Sequence, residues 1–361
     1  MKRIFFLSVT MLFFLNQGWS QENPDLTLQD TTSQDTTLVV VQGQEDEIAY
    51  NEGIELFKAN KYEASIKKFT EAIFHNSDFP KAFMNRGYAK MRLKEYGEAI
   101  VDLDSAIYKN DSLALAYYIK GRCYDFMKNK EKAMENYFIA EKKSCKRANL
   151  FYFMGVYEFY AEKYDTAIIY FTKAIKQDSK HAFAYNDRGS AKRKIKDIKG
   201  AIKDYEKATS IDKKLAVAYD NLSVVKAIDK DTTGSIEASN QAIAVKPDFY
   251  IAYNNRGSIY FFLKKYDKAI ADFKKAIEYN KDYSYAYNNL GNVKHKQKDY
   301  KGAMEAFNKA IAIDANYGAA YMNRATTKEM LRDEKGACAD WNKAVELGVA
   351  QAKQFVGGCE E

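Results

Sequence analysis

The sequence predicts an all-α fold of nine tandem helix-turn-helix repeats, each 34 residues long. Three features return with that period: an alanine, a small residue nineteen positions before it, and in most repeats a large ring three positions before it. The alanines are Ala72, Ala106, Ala140, Ala174, Ala208, Ala242, Ala276, Ala310 and Ala344. A small residue opposite a ring is typical of two closely packed helices.

Each repeat reads as two short amphipathic helices. In one repeat Tyr253, Arg256, Gly257 and Tyr260 recur at spacings of three and four, which places them on one helical face. The predicted repeats are 46–79, 80–113, 114–147, 148–181, 182–215, 216–249, 250–283, 284–317 and 318–351. A short cap over residues 352–361, which continues a capping helix beginning near Ala350, follows the last repeat.

The sixth repeat departs most from the pattern. Ser223 replaces the glycine and Ser239 replaces the ring of the neighbouring repeats. Because a repeat is stabilised mainly by its neighbours and its own core, we expect this one to open most readily.

The period and the small and aromatic positions resemble the tetratricopeptide repeat (TPR). The proline that ends each family repeat survives only as Pro247. The resemblance implies a right-handed superhelical solenoid whose first helices line a concave groove. It also implies a protein-binding scaffold rather than an enzyme.

The chain begins with features of a secretory signal peptide over residues 1–20. Lys2 and Arg3 precede an apolar run, and small residues stand at the two positions that a signal peptidase reads, ending at Ser20. The run is too short for a membrane anchor, which needs about 20 apolar residues. The sequence therefore predicts an exported protein, periplasmic or secreted, with no membrane span after cleavage.

Residues 21–45 form an acidic leader that we expect to be disordered. The segment from Gln21 to Glu47 has seven acidic residues and no lysine or arginine, so it cannot bury enough apolar surface to fold. The run Leu38-Val39-Val40-Val41 is the exception. It either pairs with a sheet edge of a partner or shares the disorder of the leader.

Enzymatic activity, a cofactor and a metal site are all unexpected. The three histidines lie in repeats 1, 4 and 8, and the sequence has no phosphate loop, serine elbow or metal-spaced pair. Although the formal net charge is +7, paired lysines on outer helix positions are typical of a solvated face. Export also argues against nucleic-acid binding.

The resemblance places a ladder of amide side chains on the groove side of repeats 5 to 9. These are Asn186, Asn221, Asn254, Asn255, Asn288, Asn289, Asn292 and Asn323. Amides both donate and accept hydrogen bonds, so the ladder suits the backbone of an extended peptide. The alternative is a solvated strip copied by duplication.

Repeats 3 and 4 place aromatic residues on the same side. They are Tyr118, Phe126, Tyr152, Phe153, Phe159 and Tyr160. An apolar surface of this extent rarely stays exposed in a monomer. It either binds a hydrophobic segment of another protein or packs within its own superhelix or against a second copy.

Four cysteines divide into two kinds. Cys338 occupies a core position of the last repeat, and the tail can bring Cys359 to its level, so we expect a disulfide between them in an oxidising compartment. Cys123 and Cys145 are offset by roughly 12 Å along antiparallel helices, beyond disulfide reach. We expect each to be a buried or a lone thiol.

These observations predict an exported, non-enzymatic scaffold that binds an extended or hydrophobic segment of another protein in its groove. A binder of cell wall or polysaccharide is the second hypothesis, because aromatic side chains stack on sugar rings. A self-assembling structural rod, and hence a homo-oligomer, is the third.

Overall fold

The computed structural model describes residues 45–359, in which helix pairs follow one another without a strand. Odd-numbered helices are the first, and even-numbered helices the second, of each pair. The pairs are α1 Glu45–Lys58 and α2 Tyr62–His75, α3 Pro80–Arg92 and α4 Tyr96–Lys109, α5 Ala114–Phe126 and α6 Lys130–Lys142, α7 Ala148–Tyr160 and α8 Tyr164–Gln177, α9 Ala182–Lys194 and α10 Ile198–Ile211, α11 Ala216–Ile228 and α12 Thr232–Val245, α13 Tyr250–Phe262 and α14 Tyr266–Tyr279, α15 Ser284–Lys296 and α16 Tyr300–Ile313, and α17 Gly318–Met330 and α18 Glu334–Glu346. The predicted array of helix pairs is confirmed.

The structure describes the chain from residue 45 to residue 359, so it includes most of the predicted cap but not the first 44 residues. The predicted signal peptide and residues 21–44 of the predicted leader lie outside the described residues. At the other end, a 3-10 turn at Ala350–Ala352 leads into the short helix α19, Lys353–Val356. This turn and helix correspond to the predicted cap.

The turn inside each repeat contains one residue in the left-handed region. These residues are Asn60, Lys94, Lys128, Glu162, Lys196, Lys230, Lys264, Lys298 and Arg332, each 34 positions after the last. The following amide closes the helix end, as where the N–H of Glu95 donates to the carbonyl of Lys90 at 3.0 Å. A uniform turn keeps the repeats in strict register.

The helices fall into two compact units that divide within α9, between Ala191 and Lys192. We call them the N-terminal and C-terminal units. Inside a unit, a second helix packs against the first helix of the next repeat, as α2 does against α3 and α14 against α15. First helices also contact each other, α1 with α3 and α13 with α15. The outer side chains of this layer of first helices form what we call the first-helix face.

The core of a repeat depends on the pairing of glycine with a ring. Phe273 is 1% exposed, and a Cβ added to Gly257 would meet the Cε1 of that ring at 2.8 Å. Gly291 stands in the same relation to Phe307, at 2.6 Å. The recurring glycine is therefore required because the ring fills the space of a side chain.

The sixth repeat replaces that pair with three buried serines. The hydroxyl of Ser223 lies 2.6 Å from that of Ser239 and 3.2 Å from that of Ser235. Ser235 also donates to the backbone carbonyl of Ser223 at 2.7 Å. Hydrogen bonds between small side chains thus take the place of ring packing, and the softness of this repeat stays a prediction.

A buried ion pair joins the two helices of several repeats. Arg256 donates to both carboxylate oxygens of Asp272, at 2.8 and 2.6 Å, and Arg324 does the same with Asp340. Arg256 also donates to Asn240 of the preceding repeat at 2.6 Å. The guanidinium therefore fixes the first-helix layer on the second helices.

Candidate functional site: the first-helix face

Side chains on the first helices of adjacent repeats form one recurring hydrogen bond. It joins two residues that are 35 positions apart, one repeat plus one residue. In the C-terminal unit the links run from Asn255 to Asp220 at 3.0 Å, from Asn289 to Asn254 at 2.9 Å, and from Asn323 to Asn288 at 2.9 Å. In the N-terminal unit Asn85 donates to the Tyr50 hydroxyl at 2.8 Å, and the Tyr152 hydroxyl donates to Asp187 at 2.8 Å.

These links divide the predicted amide ladder by burial. Four of its members are 4 to 7% exposed, namely Asn186, Asn254, Asn255 and Asn288. Their polar atoms bond to other side chains of the first helices, so the expectation of an open strip needs correction at these positions. The half-buried members are Asn221, Asn289, Asn292 and Asn323. They are the amides that a partner can reach.

Two carboxylates are buried within this network. Burial raises the pKa of Asp187 to about 7, although Tyr152 and Asn186 donate hydrogen bonds to it, each at 2.8 Å. Burial likewise raises the pKa of Asp220 to about 6, against two contacts from Asn255. Both groups therefore change charge within one or two pH units of neutrality.

The aromatic residues predicted for the groove are mostly core. The exposed fractions of Tyr118, Tyr152, Phe153 and Phe159 are 2, 7, 6 and 7%. The expectation that these four rings line an open apolar surface is therefore wrong. Packing within the unit covers them, as where the guanidinium of Arg122 lies 3.7 Å from the centroid of Phe153.

Phe126 and Tyr160 are the exposed members of that aromatic set. They are 44 and 50% exposed and occupy the last position of α5 and α7. Phe126 stacks on Tyr96 with centroids 5.2 Å apart, and the ammonium of Lys130 lies 5.8 Å from the centroid of Tyr160. These two rings form the accessible aromatic surface at the edge of the first-helix face.

The same helix position is apolar and exposed in three repeats of the C-terminal unit, where the sequence analysis did not single it out. Ile228, Phe262 and Met330 are 41, 67 and 48% exposed. The signal was available, because these residues follow the conserved small position by five, as Phe126 and Tyr160 do. Exposed apolar side chains thus end the first helices α11, α13 and α17.

Over the described residues, the structure also shows the state of the cysteines and whether a metal site or a membrane-spanning helix is present. Cys338 and Cys359 are joined by a disulfide with a Cα–Cα distance of 5.6 Å, and Cys123 and Cys145 are buried thiols. Over residues 45–359, no group of three or more His, Cys, Asp or Glu residues is arranged to hold a metal ion. None of the helices in that range has the length and apolar character to cross a membrane.

Family models assign the repeats. Models described as tetratricopeptide repeat match residues 50–114, residues 114–137 with 184–215, and residues 248–316. Together these matches cover more than half of the chain. The chain belongs to the tetratricopeptide repeat family. Tetratricopeptide repeat proteins generally mediate protein–protein interactions and are generally not enzymes.

Several solved structures share the fold. The APC/C hetero-tetramer Cut9-Hcn1 matches with a TM-score of 0.56 and 13% identity, covering 91% of this chain and 79% of that one. The C-terminal part of a TPR repeat-containing protein from Cytophaga hutchinsonii gives 0.53 and 19%, covering 67 and 99%. Pseudomonas aeruginosa pilF gives 0.52 and 15%, covering 58 and 97%. No curated protein matches the chain in sequence.

Proposed function

We propose that this protein is an exported scaffold that holds an extended segment of a partner protein on the first-helix face of its C-terminal unit. One observation carries the proposal. Half-buried amides lie on α11, α15 and α17, with Asn289 and Asn323 at equivalent positions, and exposed apolar residues end α11, α13 and α17.

The spacing of the amides suits an extended peptide. Packed helices lie about 8–10 Å apart, and an extended chain advances about 3.3 Å per residue, so one repeat matches about three peptide residues. Each amide can make up to about four hydrogen bonds. The amide nitrogen of Asn289 donates to Asn254 at 2.9 Å and to Ser258 at 3.5 Å, which leaves the amide oxygen of the half-buried Asn289 for a peptide backbone.

The apolar residues add selectivity. Backbone hydrogen bonds recognise any extended chain, whereas Ile228 and Phe262, one repeat apart, and Met330, two repeats further on, offer apolar area. A partner segment with hydrophobic residues spaced by about one repeat, roughly three residues, gains most from this surface. Phe126 and Tyr160 offer a similar surface at the edge of the N-terminal unit.

Export rests on the sequence of the first 20 residues and makes the partner a protein of the same exported compartment. N-terminal sequencing of the protein recovered from that compartment tests it. A chain beginning near Gln21 supports export, and an intact Met1 contradicts it.

In vivo photo-crosslinking tests the site. We would place a photoreactive residue at Asn292 or Phe262, and the control at the exposed position Lys274 on the second helix α14. The proposal expects one protein to crosslink at both test positions, through one short segment, and not at the control. Equal capture at Lys274, or a product that resists protease and is removed by wall-degrading enzymes, would overturn it.

A further inference from the structure

Two aromatic side chains on second helices of the N-terminal unit are almost fully exposed to solvent. Phe74 at the end of α2 is 85% exposed, and Tyr108 at the end of α4 is 92% exposed. They occupy equivalent positions one repeat apart. Val101, also exposed at 64%, lies seven residues before Tyr108 on the same side of α4. Large apolar side chains grouped in this way indicate a contact surface.

The equivalent positions change character along the chain. In the third and fourth repeats they are the exposed lysines Lys142 and Lys176. Further on they are small or acidic, namely Ser210, Ala244, Glu278, Ala312 and Glu346. The N-terminal unit alone therefore presents two rings followed by two lysines. We call this line of four side chains the outer strip.

The leader enters the fold beside the first ring of the outer strip. The carboxylate of Glu45, at the start of α1, lies 3.0 Å from Nδ1 of His75, and Asn76 donates to Asp46 at 2.8 Å. The rings of His75 and Phe74 are in edge contact with centroids 5.5 Å apart. Val41 is only four residues before Glu45, and an extended chain covers that interval in about 13 Å.

The order of residues in the leader matches the order of the outer strip. Counting back from Glu45, the leader first offers the apolar run Leu38 to Val41 and then the carboxylates Asp35 and Asp30. Along the leader the apolar run therefore comes first, nearest the two rings, and Asp35 and Asp30 follow in the order of the two lysines.

We propose that residues 30–41 of this chain bind along the outer strip. Leu38 to Val41 pack on Phe74 and Tyr108, while Asp35 and Asp30 pair with Lys142 and Lys176. Burial of apolar area provides the attraction and the charges fix the direction. The occupant of the outer strip is thus a segment of the same chain. The outer strip lies on second helices and the first-helix face lies on first helices, so a bound leader leaves the first-helix face open to a partner.

Photo-crosslinking within the purified full chain tests the proposal. A photoreactive residue replaces Phe74, and the matched control replaces Glu278, at the equivalent position in the C-terminal unit. The expected product joins position 74 to residues 36–44 of the same chain, as judged in a mixture of isotopically light and heavy protein. A crosslink to a second copy or to another protein, or none at all, would overturn the proposal.

Reversing the charges of the proposed ion pairs, with the rate of proteolysis as the measurement, tests the proposal independently. Cleavage of the leader after residues 38–41 by elastase should be about fivefold faster in the variant Lys142→Glu/Lys176→Glu, because cleavage requires release of the segment. Adding Asp30→Lys/Asp35→Lys should restore the original rate. Equal cleavage rates in all three proteins, or failure of the second pair to restore protection, would refute the assigned direction and contact.

Discussion

The amide of Asn289 donates a hydrogen bond to Oδ1 of Asn254 over 2.9 Å, linking the first helices of two successive repeats. Asn323 and Asn288 repeat the same link one repeat further on, also at 2.9 Å. Asparagines that the sequence pattern predicts to bind a ligand thus form hydrogen bonds between successive repeats.

The link should be measurable by a double-mutant cycle. We expect Asn254→Ala and Asn289→Ala each to lower the free energy of unfolding by about 1 kcal/mol, with a coupling of similar size between them. Asn292→Ala, on the same face, should change it by less than about 0.5 kcal/mol. Urea titrations of the original protein, the two single variants, their double variant and Asn292→Ala supply the values, and additive effects would exclude the link.

Asp187 should make stability depend on pH. Its pKa is raised to about 7 by burial, above its value in the unfolded chain, so the folded chain binds more protons between those two values. The contribution is fully present below the unfolded pKa of about 4 and is lost as pH rises through about 7.

Between pH 4.5 and 7.5, the free energy of unfolding of the original protein should fall by roughly 2 kcal/mol more than that of the variant Asp187→Asn. Urea unfolding at both pH values checks this. A parallel pH dependence in the variant and the original protein would show that Asp187 is ionised throughout.

The serine core of the sixth repeat should be convertible to the pattern of its neighbours. Ser239→Phe alone should be destabilising by a few kcal/mol, because Ser223 occupies the space that Gly257 leaves open for Phe273. Ser223→Gly together with Ser239→Phe should recover most of that loss. Thermal unfolding measures both, and no recovery in the double variant would contradict the pairing.

Hydrogen exchange tests the softness of the same repeat. Amides of residues 216–249 should exchange faster than those of 182–215 and 250–283, since Ser239 buries much less apolar area than Phe273. In the double variant this difference should shrink. Uniform protection across the three repeats would show that the serine hydrogen bonds compensate fully.

The exposed and buried rings of the N-terminal unit should separate binding from stability. Phe159→Ala should cost roughly 3 kcal/mol because that ring is 7% exposed. Phe126→Ala with Tyr160→Ala should cost about 1 kcal/mol or less, since both rings are largely accessible. If this surface takes part in binding, the double variant loses partner capture while its melting temperature stays nearly unchanged.

The disulfide should stabilise the end of the array. Cys338 and Cys359 close a loop of 21 residues next to the stacked rings of Trp341 and Phe355, whose centroids are 5.1 Å apart. In the chain-entropy model such a loop contributes about 3 kcal/mol. Peptide mapping without reductant should recover the linked peptides from exported protein.

The variant Cys359→Ser supplies the control for that result. It should melt earlier in the last repeat, and reductant should lower the stability of the original protein but not of the variant. Free thiols at both positions in the exported protein would show that the bond does not form there.

The sequence by itself determined the array of helix pairs and the pairing of small residues with rings. These features are local, because two helices of one repeat meet within about twenty positions and follow the helical period. Gly257 and Phe273 illustrate this, since each predicts the other. The turn residue Lys264 was less visible, because a left-handed lysine carries no clear signal in one sequence.

Only the tertiary structure decided which residues of the first-helix layer are open. Tyr152 and Tyr160 share a helix and an aromatic character, yet Tyr152 is 7% exposed and Tyr160 is 50% exposed. Tyr152 packs against Phe171 and His181 and donates a hydrogen bond to Asp187, 35 positions away, whereas Tyr160 is the last residue of the helix. Helices of adjacent repeats cover each first helix. Helical periodicity shows which residues share a face, but it does not show what packs against that face.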